Sequence, residues 1–145
     1  MDFSLPFAIG ASGLQAQRLR MDTVSSNLAN IQSTRTAQGG PYRRKEVIFT
    51  ATPPEQQTFD TMLRQATNLP QAVQVTAIVE DSRGPKRVFD PQHPDADPSG
   101  FVNFPQINLM EEMVNLMSAT RSYEANVTVI DAAKNMALKA LEIGR

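Results

Sequence analysis

Apolar residues recur at alternating steps of four and three along the last third of the chain, from Ile107 to Ile143. This is the longest stretch without proline or glycine, and heptad spacing keeps such side chains on one stripe of a slightly under-wound helix. The pattern predicts a helix of about 55 Å that ends near Gly144 and has a coiled-coil partner. The predicted seam consists of Leu109, Met113, Leu116, Thr120, Tyr123, Val127, Ile130, Lys134, Ala137 and Leu141.

A second apolar stripe lies on another face of the same predicted helix. It consists of Val129, Ala133, Met136, Ala140 and Ile143, while Met110, Val114 and Met117 flank the first seam near its start. A helix that is apolar on two faces must bury both. A chain of 145 residues offers little else to cover the second face. The two stripes therefore predict contacts with other subunits.

Residues 7–31 show a weaker heptad pattern, which predicts an N-terminal helix. Its seam consists of Phe7, Leu14, Met21 and Leu28, with Val24 and Ile31 at the second seam position. Gly10 and Gly13 each cost about 1 kcal/mol of helix propensity relative to alanine, so the helix needs packing to become ordered. We expect it to form an antiparallel pair with the C-terminal helix, and this pair would leave the second stripe uncovered.

Between the two helices, short strands are predicted by β-branched and aromatic residues and by alternating polarity. Residues 42–50 favour one strand, and residues 71–80 favour another. The turn at residues 81–85 would return the chain as a strand over residues 86–90, which predicts a hairpin. Residues 101–104 would add a short strand, and residues 51–70 allow a short helix but give no clear pattern.

The chain is thus predicted to have an α+β fold in which long N- and C-terminal helices form a coiled-coil pair around a small, mostly antiparallel β region. Nine of the ten prolines lie between Pro41 and Pro105, which marks the middle as the irregular part. The predicted divisions are an N-terminal helix over residues 1–34, a β-rich region with proline-rich loops over residues 35–105, and a C-terminal helix over residues 106–145.

Composition excludes several classes of function. A net charge of −1 gives no electrostatic footprint for nucleic acid, and there is no cysteine for disulfides or thiol chemistry. The N-terminal sequence MDFSLPFAIGAS lacks the basic region of a secretory signal, so a cleavable signal peptide is not expected.

One loop suggests metal chemistry, because Asp90, His93, Asp95 and Asp97 lie within eight residues. The three prolines around them instead favour a rigid exposed turn. The only histidine lies in this loop, no G-x-S-x-G motif occurs, and no phosphate-binding loop follows the glycines at 39 and 40. Glu111 and Glu112 are adjacent and suit the first turns of a helix better than a shared substrate. We therefore predict no catalytic, cofactor or metal site, and no small-molecule substrate.

Arg43, Arg44 and Lys45 form the only compact basic cluster. No aromatic platform or wider basic face supports a nucleic-acid patch there. A solvated strand edge that deters unwanted pairing is the simpler interpretation. A salt-bridge contact between subunits is also possible, so these three residues remain candidate subunit contacts.

Several motifs resemble those of the bacterial flagellar axial proteins of the rod and hook. Near the N-terminus they are ASGLQAQ over 11–17 and SNLAN over 26–30; near the C-terminus they are EEMVNLM over 111–117 and RSYEAN over 121–126. Within that group, GGPYRRK over 39–45 and FDPQHPDAD over 89–97 resemble the proximal rod members. The resemblance implies a subunit that stacks helically through its terminal helices, transmits torque and encloses the export channel.

The same resemblance implies self-association, contacts with other proximal and distal rod proteins and with components at the rod base, and passage through the flagellar type III export apparatus. The expected location is the periplasmic rod of the basal body. A cytoplasmic coiled-coil adaptor or regulatory protein is the alternative. The candidate assembly residues are Leu14, Met21, Val24, Asn27, Leu28, Asn30, Ile31, Met113, Leu116, Tyr123, Asn126, Val127, Ile130, Met136 and Leu141.

Overall fold

Two long helices and four short strands make up the described part of the chain. The computed structural model describes residues 4–52 and 71–143. In chain order the elements are α1 (Ser4–Ala29), β1 (Lys45–Thr52), β2 (Ala72–Glu80), β3 (Lys86–Phe89), β4 (Phe101–Phe104) and α2 (Leu109–Ile143). This arrangement confirms the predicted α+β fold. Gly144 and the possible short helix within 51–70 fall outside the described residues, apart from Ala51 and Thr52 in β1.

The two helices pack against each other in antiparallel orientation. Gly10, near the start of α1, lies against Ile130, in the second half of α2. Asn27, near the end of α1, contacts Glu112 in the first turn of α2. The predicted antiparallel pair within one subunit is therefore confirmed.

Glycines set the closest approach of the helices. A Cβ atom at Gly10 would lie 2.7 Å from Ile130 Cγ1, and one at Gly13 would lie 2.8 Å from Asn126 Nδ2. With a Cβ atom at either position, the neighbouring atoms would have to shift. The two glycines lower the helix propensity of α1, but they allow the helices to pack closely.

Gly10→Val is expected to lower the free energy of unfolding by about 1–3 kcal/mol, because the added side chain overpacks the contact with Ile130. Thermal unfolding followed by circular dichroism measures this change. Ala11→Val is the matched control, since Ala11 is exposed on the same turn and loses only about 0.5 kcal/mol of helix propensity. Equal losses in the two variants would contradict the close approach.

The stripe of α2 that faces α1 is not the predicted seam. Its centre consists of Glu112, Ala119, Asn126 and Ala133, and of these only Asn126 is not fully buried. Leu116, Tyr123, Ile130 and Ala137 from the predicted seam are half-buried beside it, whereas Leu109, Met113, Thr120, Val127, Lys134 and Leu141 are exposed. The physical reason is that Gly10 and Gly13 of α1 leave room for Ile130 and Asn126, and that Glu112 is buried through its bonds with Asn27 and Arg44, so the contact does not follow the heptad of apolar residues.

Most of the second predicted stripe remains uncovered by the described parts of the chain. Ala133 is buried against α1, but Val129 and Met136 are exposed, as are Met110, Val114 and Met117. The expectation that the helix pair leaves apolar surface uncovered is confirmed for these residues.

The strands form two separate antiparallel pairs. β1 pairs with β2 from Lys45 opposite Glu80 to Thr52 opposite Ala72, with a bulge after Ile48. β3 pairs with β4. The predicted hairpin between residues 71–80 and 86–90 is therefore wrong.

Contacts that are distant in sequence decide the pairing instead. The Asp81 amide donates to the Arg44 carbonyl (2.8 Å), which extends the β1–β2 pair into the predicted turn. The Phe89 and Phe101 rings meet edge to face with centroids 5.3 Å apart. The proline-rich loop over residues 90–100 connects β3 to β4. The Asp90 amide donates to the Gly100 carbonyl (3.0 Å), so this loop closes the β3–β4 pair.

The proline-rich loop is held against the segment that follows α1. The Thr34 hydroxyl donates to Asp95 Oδ2 (2.7 Å). His93 Nδ1 accepts from the Asp95 amide (3.1 Å), and its ring packs edge to face on Phe104. These contacts give His93 and Asp95 a role in holding the loop together.

Candidate assembly interface

Exposed apolar side chains on α2 form the main candidate for an interaction surface. They fall into groups that we name by position. The methionine face consists of Leu109, Met110, Met113, Val114 and Met117, and the tail face consists of Leu138 and Leu141. Val127, Val129 and Met136 are exposed elsewhere on the helix. Clusters of exposed apolar side chains are candidate sites of protein interaction.

Part of the methionine face lies on the side of α2 opposite the α1-facing stripe, while Leu109 and Met113 lie nearer to that stripe. Met110, Val114 and Met117 follow one another at steps of four and three, which places them on one line of the helix. Met110 is 68% exposed. Farther along, the same side of α2 carries Arg121, Glu124, Thr128 and Asp131, all of them exposed. The apolar character of this side is therefore confined to the first three turns.

The tail face lies on a part of α2 that extends past α1. Because Gly10 lies level with Ile130 and the helices are antiparallel, Ser4 lies about level with Met136. Residues 137–143 therefore project beyond the first described residue of α1 by about 10 Å. Leu141, in this projecting segment, is 72% exposed.

A buried polar cluster lies beside the start of α2. The Glu112 carboxylate is completely buried, and its Oε1 accepts from Arg44 Nε at 2.7 Å. Glu112 Oε2 accepts from Asn27 Nδ2 at 3.0 Å. This cluster joins α1, the residue before β1 and α2, so it fixes where the β1–β2 pair leaves the helices.

The Asn27 side chain also forms hydrogen bonds with residues at the start of β1 and just before it. Its Nδ2 donates to the Lys45 carbonyl (2.8 Å), and its Oδ1 accepts from the Lys45 amide (2.9 Å) and the Tyr42 hydroxyl (3.1 Å). The Asn27 side chain thus bonds both the amide and the carbonyl of Lys45, as the backbone of a neighbouring strand would. A buried amide with this many partners specifies one arrangement of helix and strand.

The charge of Glu112 is balanced by Arg44, whose side chain is only 10% exposed. Burial lowers the pKa of the Arg44 guanidinium, but the hydrogen bond and charge of Glu112, helped by Glu46 and Glu111, outweigh burial and raise the pKa above its usual value. Glu111 and Glu112 occupy the first turn of α2, as predicted. Both carboxylates also interact favourably with the helix dipole there.

The structure distributes the candidate assembly residues over three environments. Val24 and Asn27 are buried; Met113, Val127, Met136 and Leu141 are exposed; and Leu14, Met21, Leu28, Asn30, Ile31, Leu116, Tyr123, Asn126 and Ile130 are half-buried. The half-buried and buried members mostly line the α1–α2 contact. The exposed members lie on surface of α2 that the described parts of α1 and the strands leave uncovered.

The three basic candidate residues also lie in different environments. Arg44 serves the buried cluster, while Arg43 is exposed and Lys45 is half-buried. Sequence reasoning placed Glu112 in the first turn but missed its pairing with Arg44. No local signal joins residues that lie 68 positions apart in the chain.

Within residues 4–52 and 71–143, no three His, Asp or Glu side chains converge in a way that would hold a metal ion. Over the same residues, neither helix combines the length and apolar character needed to cross a membrane.

Comparison with known proteins identifies the family. A family model described as "Flagella basal body rod protein" matches residues 7–37, and one described as "Flagellar basal body rod FlgEFG protein C-terminal" matches residues 99–143. A flagellar basal-body rod protein FlgC from Bacillus subtilis is 45% identical over 94% of this chain and 95% of its own length. The chain belongs to the FlgC family of flagellar basal-body rod proteins. FlgC proteins of Borreliella burgdorferi (41% identical; 93% of both chains) and Salmonella typhimurium (40%; 96% of both) are also similar.

The two family-model matches coincide with the helix pair. The first covers most of α1 and the turn after it, and the second covers β4 and α2. FlgC relatives match over nearly the whole chain, which includes the central strands and the proline-rich loop. The specific match to FlgC confirms the closer resemblance seen in the central motifs.

Proposed function

We propose that this chain is a structural subunit of the flagellar basal-body rod and assembles through α1 and α2. Family membership supports the rod assignment. The observation that supports assembly is the exposed apolar surface of α2, which the described parts of α1 and the strands leave uncovered. A mechanical subunit needs such surfaces and needs no reactive group.

The finer assignment is to the proximal rod in the periplasm. There the chain contacts its own copies, other proximal and distal rod proteins and components at the rod base, after passage through the flagellar type III export apparatus. Helical stacking of the terminal helices lets the rod transmit torque and enclose the export channel.

Deletion of the gene is expected to abolish swimming and to yield no complete rods, since a missing subunit interrupts assembly. Swimming in soft agar and electron microscopy of isolated basal bodies measure this. Re-expression of an epitope-tagged chain restores swimming and places the tag in the basal bodies. The alternative, a cytoplasmic adaptor, predicts a stable dimer in the cytosol and basal bodies without the tag.

A further inference from the structure

We propose that the methionine face is an oxidation site, at which a peroxide converts Met110, Met113 and Met117 to sulfoxides and thereby prevents assembly. The oxidation itself is a property of the single chain. Its effect on assembly rests on the proposed rod function, in which neighbouring subunits cover exposed apolar surface of α2.

Three thioether side chains lie next to one another on the surface of α2. Steps of three and four residues separate Met110, Met113 and Met117, and residues at these steps are neighbours on a helix. The three side chains are 68%, 45% and 56% exposed. Five of the seven methionines belong to the described residues, and three of those five are these neighbours. A peroxide in solution can therefore reach all three.

Two other methionines provide a comparison within the same chain. Met21 is half-buried, and its Sδ lies 3.6 Å from the Thr120 hydroxyl of the opposite helix. Met136 is 60% exposed but lies far along α2 from the methionine face. The chain thus contains a shielded methionine and an exposed one that stands apart from the face.

The reaction needs no group from the protein other than the sulfur. A lone pair of the thioether sulfur attacks one oxygen of hydrogen peroxide, the O–O bond breaks, and the departing oxygen leaves as water with both protons. Sulfur is oxidised by two electrons, and the peroxide is reduced to water. The product is a polar sulfoxide in place of a flexible apolar side chain.

The sulfoxide oxygens have different consequences in the single copy and in the assembly. In the single copy they remain hydrated, because each of the three side chains is at least 45% exposed. Under a neighbouring subunit they would lose that water, which opposes burial of the face. Leucine would serve a purely apolar contact about as well, since exchange of leucine and methionine nearly conserves volume. Methionine makes the contact depend on the oxidant.

Oxidation of the purified chain with hydrogen peroxide, followed by peptide mass spectrometry over time, tests the site. Met110, Met113, Met117 and Met136 are expected to react several-fold faster than Met21. The unfolding temperature of the oxidised chain should fall by no more than about 3 °C, because the modified side chains lie at the surface. Reaction of the face at the rate of Met21, or unfolding of the chain on oxidation, would overturn the proposal.

The effect on assembly is measured in a deletion strain in which an epitope-tagged chain is induced with or without sublethal hydrogen peroxide. Peroxide is expected to lower the tag content of isolated basal bodies several-fold. The triple variant Met110→Leu, Met113→Leu and Met117→Leu should retain its tag content in peroxide. Met136→Leu is the matched control, because it removes an exposed methionine but leaves the methionine face oxidisable, so it should be as sensitive as the unchanged chain.

A second triple variant tests polarity without an oxidant. Met110→Gln, Met113→Gln and Met117→Gln place polar groups of similar length on the face. This variant is expected to fold, as measured by circular dichroism, but to be several-fold depleted from basal bodies without peroxide.

The outcomes separate this switch from the rod function. Equal losses of the unchanged chain and the leucine variant in peroxide would overturn the switch, and so would normal assembly of the glutamine variant. Failure of the leucine variant to assemble without peroxide would overturn it too, because the contact would then depend on side-chain shape. Basal bodies that lack the unchanged, unoxidised chain would instead overturn the rod function.

Discussion

Arg44→Ala is expected to lower the free energy of unfolding by about 3–5 kcal/mol, because it leaves a buried carboxylate without its cation. Glu112 has no exposed surface, and Arg44 Nε donates to it at 2.7 Å. Asn27 would remain as its hydrogen-bond donor but brings no compensating charge. Urea denaturation of the purified chain, followed by circular dichroism, measures the loss.

Two further variants show whether the loss comes from the buried pair. Arg43→Ala removes a neighbouring exposed charge and should change stability by no more than about 0.5 kcal/mol. Replacing both partners, as Arg44→Met with Glu112→Met, should recover most of the loss, because no charge is then left buried. A loss for Arg44→Ala as small as that for Arg43→Ala would show that Glu112 does not depend on this cation.

The features that sequence predicted well are those set by local periodicity. Both long helices follow from repeated apolar residues, and the strands that begin near Lys45, Ala72, Lys86 and Phe101 follow from alternation and composition. The sequence did not predict which of these strands pair with each other. Residues 81–85 have the composition of a hairpin turn, but β2 pairs with β1 and β3 with β4 through contacts that lie outside any local window.

The face of α2 that meets α1 also escaped prediction. Hydrophobic periodicity gives weight to Leu109, Met113 and Val127, whereas the helices meet where Gly10 and Gly13 leave room for Ile130 and Asn126. Ala119 and Ala133 are buried, while Leu109, Met113 and Val127 are exposed. The large residues are then available for contacts that a single copy does not make, as the two predicted stripes had suggested.

The polar cluster escaped prediction because a pattern of polar and apolar positions treats Glu112 as surface. Its burial depends on Arg44 and Asn27, which come from two other parts of the chain. The SNLAN and GGPYRRK motifs each contain one member of the cluster, but the sequence alone does not show that they meet. Only the fold gives these motif residues a shared physical role.

Val127→Asp is expected to block rod assembly and abolish swimming while leaving the isolated chain folded. Val127 is 39% exposed and lies at the side of the α1-facing stripe, where a neighbouring helix can cover it. An aspartate there is solvated in a single copy but would be buried without a partner in the assembly, at a cost of several kcal/mol. Swimming in soft agar, the content of isolated basal bodies and thermal unfolding together measure this.

Two companion variants separate assembly from folding. Ile130→Asp should abolish swimming as well, but it should also lower the unfolding temperature of the isolated chain, because Ile130 packs on Gly10 within the subunit. Thr128→Asp places the same charge one residue away on the polar side of α2 and should leave swimming unchanged. If Val127→Asp cells swim normally, Val127 does not lie in the interface, and the exposed side of the predicted seam is not the surface by which neighbouring subunits hold α2.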